Sequence, residues 1–349
     1  MHLLFSWTGE NKYLGLNKFT ILKQRYKILL NYVIGPLLFI VLCWGIYRKI
    51  QTQPNLHSFL STLQSAVTGE HSLLFWLVLA LSLVNWGIEA RKWQLLIKGI
   101  QRVGLWQAFK AVLSGLAFSL FIPNRAGEYV GRILYMSEGN RLRSVSLTIV
   151  GSISQLLVTL TAGLGGLIYL RVYLLPVNDN LRQLPSFWLD GLLYVTAFGV
   201  LILLLIYYKL AWLTTLFEKI PFVYKYRFLI EQLENFHWRE LTRILVLSIG
   251  RFVVFIVQYL LLLSVFAVTM PVTTGVWLVC VLFLVLAIVP TIPIAELGVR
   301  GAVGIQLFGL ISSNTTGILL TAAGIWCINI IVPALAGSLF ILSIKLFKK

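Results

Sequence analysis

Acidic residues are scarce in this chain: 12 Asp and Glu stand against 29 Lys and Arg, for a net charge of +17. Charge of either sign is sparse as well. Only 12% of the residues are charged, where a soluble domain carries about a quarter. With 58% of residues hydrophobic, a soluble globule is excluded. The basic residues are dispersed between apolar segments, which argues against nucleic acid as the partner and for cytoplasmic loops facing anionic lipid. Histidine is limited to His2, His57, His71 and His237, scattered without metal-ligand spacing, so no metal or cofactor is expected. The cysteines Cys43, Cys280 and Cys327 all lie in apolar runs, which excludes a disulfide framework. There is no Asp pair, no His cluster and no GxxxxGK[ST] loop to draw on ATP. Gly151, Ser152, Ile153 and Ser154 are too common a composition to mark an intramembrane protease. The chain is not expected to be an enzyme.

What is present is a series of apolar runs. Residues 1–27 are basic (Lys12, Lys18, Lys23, Arg25, Lys27) and read as a cytoplasmic segment, either a solvated tail or a helix lying on the membrane surface. No secretory signal is visible, because this basic stretch is too long and the first apolar run lacks a cleavage site. The transmembrane domain covers 28–346. Spans are expected at Ile28–Tyr47, Leu73–Ala90, Val145–Leu170, Leu192–Tyr208, Ile244–Val268 and from Gly317 to about Leu346, each near the about 20 residues that cross a bilayer core. Basic residues at both chain ends place the N- and C-termini in the cytoplasm. On the third of these spans, Thr148, Gly151, Ser152, Gln155, Thr159, Ala162, Gly163 and Gly166 form a stripe at spacings of 3 and 4. It serves close helix packing, within the chain or in a homodimer, or lines a polar pathway.

Two apolar runs are broken. The first motif, 111–137, runs from Ala111 to Ile122 and then reads Pro123, Asn124, Arg125, Ala126, Gly127, Glu128 and, four residues on, Arg132. The second, 276–311, breaks at Pro290 and Pro293 and continues with Glu296 and, again four residues on, Arg300. Glu and Arg at that spacing share a helix face. Broken segments at corresponding places in two halves of a membrane protein point to a transporter's binding site. The first break carries positive charge on both sides, which fits a re-entrant hairpin; a full span from near Leu105 is the competing reading. The fold class is therefore an all-α polytopic membrane helix bundle, with about six full spans, two re-entrant broken-helix hairpins and the outline of an inverted repeat.

Arg125, Arg132, Arg251 and Arg300 are the candidate phosphate-binding residues, because guanidinium forks pair with phosphate oxygens and stay charged. Glu128 and Glu296 would neutralise them in the empty state or bind a coupling proton; alternatively, each Glu–Arg pair only lets a buried charge survive. Arg251 lies inside a span, where a charge is costly, and either serves function or snorkels to the basic side. A second tier comprises Asn85, Glu89, Arg91, Gln155 and Gln258. Asn85 and Glu89 share a face with Lys92.

Three stretches carry a resemblance to a known family: Glu89–Trp93, Ile122–Arg132 and Pro293–Arg300. The middle one is similar to a Pro–Gly–Gly/Arg–x–Gly–Glu–x–x–Arg pattern; the last lacks the Gly-Gly found in the family. Over nearly its whole length the chain resembles the lysylphosphatidylglycerol synthase transmembrane region, or flippase-like membrane proteins. The resemblance implies a multi-pass protein of the inner membrane that moves lipid across the bilayer. The substrate would be an anionic or phosphate-bearing lipid, such as a modified phosphatidylglycerol or a polyprenyl-phosphate-linked lipid. The chain ends a few residues past its last span, so the aminoacyl-transfer domain of bifunctional relatives is not expected. The other expectation is a membrane partner or regulator of an envelope-lipid enzyme.

Overall fold

The computed structural model describes residues 64–120, 122, 126–176, 186–209, 236–289 and 293–343. The expected first span, the basic N-terminal segment, Arg125 and the segments at 210–220 and 228–235 lie outside the described residues. So do the bases of the C-terminal end. Ten helices form the described part: α1 (Ser72–Ile97), α2 (Leu105–Ser119), α3 (Gly127–Ile133), α4 (Arg141–Tyr169), α5 (Ser186–Tyr208), α6 (Trp238–Val265), α7 (Val272–Ile288), α8 (Pro293–Phe308), α9 (Thr315–Trp326) and α10 (Val332–Ser343). There is no strand among the described residues. The fold is an all-α membrane bundle, and five stretches are long and apolar enough to cross a bilayer: 72–97, 138–174, 189–208, 238–265 and 315–341.

Several helices outrun their sequence-based limits. α1 continues past Ala90 to Ile97 because Glu89 and Lys92 are buried against other helices instead of ending the span at the surface. α2 begins at Leu105, not Ala111. Lys110, which the apolar count excluded, lies over the Trp106 ring at 5.4 Å and the Phe340 ring at 5.7 Å and so keeps its charge at the helix flank. At 15 residues, α2 is only about 22 Å long, short of a bilayer core of about 30 Å. It does not span.

The contacts fix the directions of the helices. Glu89 meets Arg251, while Val78 meets Gln258 a few turns away, so α1 and α6 are antiparallel. Asn140, at the start of α4, donates to the Ile100 carbonyl just past the end of α1, while Thr148 meets Trp93 farther back, so α4 also runs against α1. Gly163 faces Leu284 and Gly166 faces Val281, so α7 runs against α4. Of the small-residue stripe, Gly163 and Gly166 admit α7 and Thr148 and Gly151 admit α1; Gly165, beside the stripe, takes the Trp277 ring.

Both broken segments fold back on themselves. In the first, Gly131 of α3 abuts the Gly115 backbone of α2, and Gly127 abuts Phe118 and Ser119. A Cβ at Gly127 or Gly131 would overlap that backbone, so these glycines allow the two helices to touch. In the second, α8 returns along α7 and rests on α9, where Gly301 faces Leu319 and Gly304 faces Ile318. α2 starts at the end of the bundle where α1 finishes, and α7 starts at the end where α6 finishes. Since α1 and α6 are antiparallel, the hairpins enter from opposite ends. Their inner ends meet: Leu120 shares an apolar cluster with Leu297 of α8 and with Trp326, Ile330 and Ala334.

Candidate functional site

The centre of the bundle holds charge. On α1, Asn85, Glu89 and Lys92 follow each other at helical spacing and point at α3, α4 and α6. Glu89 is the hub. Its Oε1 accepts from Arg132 Nη2 at 2.9 Å, and its Oε2 accepts from Lys92 Nζ and Arg251 Nη1, each at 2.8 Å. Arg132 Nη2 also donates to Glu128 Oε2 at 2.8 Å, the i,i+4 pair foreseen in the first broken motif. Arg251 Nε donates to Asn85 Oδ1 at 2.7 Å, and its guanidinium lies 5.4 Å from the centre of the Phe255 ring. Lys92 Nζ has weaker contacts at 3.4 Å with the Gly151 carbonyl and the Ser248 hydroxyl, and Ser248 is 2.6 Å from the Ser154 hydroxyl.

This network joins four helices distant in sequence. It contains three cations and two carboxylates, so its formal charge is 3 − 2 = +1. Most of it is sealed: side-chain exposure is 2% for Lys92, 3% for Arg132 and 5% for Glu89. Arg251 and Glu128, at 12% and 17%, are the members that reach outward. Charges this deep in an apolar bundle survive only when paired, and they mark functional sites by default.

The second hairpin carries a smaller site. Glu296 and Arg300 form the expected i,i+4 ion pair. Arg300 lies 5.5 Å from the Phe283 ring centre, beside Tyr259. Phe283 and Phe255 are 5.7 Å apart, so two neighbouring aromatic rings stand between Arg251 and Arg300. The four arginines of the sequence reading do not converge on one point: Arg132 and Arg251 share Glu89, Arg300 lies across the aromatic pair, and Arg125 is outside the described residues.

The second-tier residues divide. Asn85 and Glu89 belong to the centre. Gln258 Nε2 donates to the Val78 carbonyl at 2.9 Å and clamps α1 to α6 away from the charges. Gln155 is half-buried on α4, its Oε1 without a partner. Arg91 is exposed on the other face of α1, hydrogen-bonded to Gln94. At the base of the first hairpin, Tyr135 and Ser114 share a hydrogen bond of 2.9 Å, and burial pushes the Tyr135 phenol up to about 12, so it stays neutral.

Sequence reasoning put Glu89 in a second tier and did not name Lys92 as a candidate, while the structure places both at the centre of the ion-pair network. The signal was there in the 85/89/92 spacing. Phe255 and Phe283 gave no sign in their apolar runs.

The sequence model of the lysylphosphatidylglycerol synthase TM region matches residues 29–337. No curated protein and no solved structure matches the chain.

Proposed function

Because the chain belongs to the lysylphosphatidylglycerol synthase TM-region family, a family of membrane proteins tied to lipid, we propose that it is a lipid translocase and not an enzyme. It would move a phosphate-bearing lipid across the inner membrane, with both termini in the cytoplasm. The observation that carries this reading is the buried Glu89 cluster, set where a hairpin from one end of the bundle packs among spans that cross to the other. A phosphate headgroup would take Arg132 and Arg251 from Glu89 in part, while its tails stay in lipid. Arg300, across Phe255 and Phe283, would provide the next cation on the way.

Arginine suits this role because its planar fork binds two phosphate oxygens at once and does not lose its proton. Glu89 and Glu128 hold the guanidinium groups in place when no lipid is bound, so that headgroup and carboxylate compete for the same donors. Such exchange lets a ligand be held and then released.

The test is transport in liposomes. Purified protein is reconstituted with fluorescent analogues of phosphatidylglycerol, lysylphosphatidylglycerol and a short polyprenyl phosphate, and leaflet exposure is followed with a membrane-impermeant quencher. Movement of one analogue that is lost in Arg132→Gln and Arg300→Gln is the expected result. Normal transport in both variants would refute the site.

A second reading, a membrane partner or regulator of an envelope-lipid enzyme, is favoured by one observation: Glu89, Glu128 and Glu296 are all ion-paired, which folding alone requires. Under that reading Glu128→Gln combined with Arg132→Gln folds and leaves function intact.

A further inference from the structure

The two carboxylates at the centre are committed to partners, but the donors are not all used. Both oxygens of Glu89 accept from cations, and Glu128 Oε2 accepts from Arg132. Arg132 Nε and Asn85 Nδ2, by contrast, are buried without a hydrogen-bond partner. In the second hairpin Arg300 likewise has Nε and Nη1 without a geometric hydrogen-bond partner, with the Tyr259 hydroxyl beside it. No carboxylate oxygen is found among the unpartnered buried atoms of the described residues. The centre therefore combines a formal charge of 3 − 2 = +1 with spare N–H groups.

From this excess of donors around a net positive charge, we infer that the site selects a lipid headgroup of net negative charge, of the phosphodiester class, over an aminoacylated headgroup of net positive charge. The inference rests on the translocase reading for the place of the lipid and adds which lipid that place accepts. A phosphodiester brings one negative charge and unprotonated oxygens, which cancel the excess charge and meet the open Arg132 and Asn85 donors. A lysyl ester of the same lipid keeps the phosphodiester but adds two ammonium groups, for which the carboxylates of the site are already held by arginine or lysine. To bind there, it has to break an ion pair in a site with little water. Buried donors left unpaired are costly, so an anionic ligand gains where a cationic one loses.

The size of the preference follows from Coulomb's law. One unit of headgroup charge at about 8 Å, at an effective dielectric of about 20, changes affinity roughly thirtyfold, and the lysyl ester differs from its parent by two units, for roughly a thousandfold. Arg251 and Glu128 are the natural levers, because they are the least buried members of the cluster. Glu128→Gln raises the central charge from +1 to +2, and Arg251→Gln lowers it to 0, by the same count.

The experiment is competition at equilibrium. Full-length protein in mixed detergent–phosphatidylcholine micelles is loaded with fluorescent phosphatidylglycerol. Unlabelled phosphatidylglycerol, lysylphosphatidylglycerol and soluble glycerophosphoglycerol are then tested as displacers. Phosphatidylglycerol is expected to displace roughly a thousandfold better than its lysyl ester. Glu128→Gln should widen that ratio and Arg251→Gln should narrow it. If Arg251→Gln does not fold, Glu128→Gln decides alone. Equal or better displacement by the lysyl ester overturns the inference, as does a ratio unchanged in Glu128→Gln. Displacement by glycerophosphoglycerol as strong as by the lipid overturns the assignment to a lipid headgroup. No leaflet movement is needed for this readout. Selective binding without transport would remove the translocase and keep the charge selectivity, whereas transport with a preference for the lysyl ester would do the reverse.

Discussion

Glu89→Gln is the perturbation that most directly tests the centre of this molecule. At 2.8 Å and an effective dielectric of about 20, one ion pair of Glu89 amounts to roughly 6 kcal/mol of attraction before desolvation. The three contacts do not simply add, because the three cations repel one another and two of them have other support. Arg132 keeps Glu128, and Arg251 keeps Asn85 and some exposure. Lys92, with a side chain 2% exposed, keeps only the contacts at 3.4 Å with Gly151 and Ser248. The loss is thus that of one broken buried pair, about 3–5 kcal/mol. Over 349 residues, the usual unfolding entropy per residue turns this into a melting midpoint roughly 4–7 °C lower. The formal charge of the cluster rises from +1 to +2 in this variant, and adding Lys92→Met brings it back to +1. The double variant should therefore recover at least half of the loss, since a well-packed apolar group can replace a buried ion pair at little cost. The assay is heat challenge of detergent-solubilised protein followed by size-exclusion chromatography. A Glu89→Gln variant as stable as the parent, or a double variant less stable than Glu89→Gln alone, would refute the view that Lys92 depends on Glu89.

Three further outcomes follow from packing and capping. Gly131→Ala places a methyl group on the Gly115 backbone and should cost about 1–3 kcal/mol or prevent the hairpin from closing, read as loss of the monodisperse chromatographic peak. Gly250→Ala, beside Arg251 but with open space around it, should be neutral or stabilise by about 0.5–1 kcal/mol in the same assay. Asn314→Ala removes the side chain that accepts from Gly317 N at 2.9 Å and donates to the Phe266 and Ala267 carbonyls at 3.1 Å. Its expected cost is about 1–2 kcal/mol, measured as a lower melting midpoint.

Much of this architecture is legible in the chain, and the limits of that legibility have physical causes. Apolar length shows the spans, and Pro123 with Gly127 shows where the first one breaks. The Glu–Arg spacing of both motifs predicts pairs that are present at Glu128–Arg132 and Glu296–Arg300. Helical spacing also shows that Asn85, Glu89 and Lys92 share a face, but it does not say which helix that face meets. Only the antiparallel register of α1 and α6 brings Arg251 to Glu89, a partner 162 residues away. The separation of Arg300 from the other arginines had the same origin. Its position depends on Phe283, which nothing distinguishes from its apolar neighbours until α7 is placed against α6 and α8.

The last span is not a plain membrane crossing. Between α9 and α10 the chain takes one wide turn, Cys327–Ile331, with five-residue hydrogen-bonded steps instead of four. Such a turn shifts the faces of the two halves relative to each other without ending the rod. One half then braces α8, while the other lies on α2, where Gly337 sits against Leu113. Both hairpins are therefore carried on a single strut, one on each half. The two hairpins thus share one support, a span in which Asn329 and Pro333 stand within an otherwise mostly apolar run.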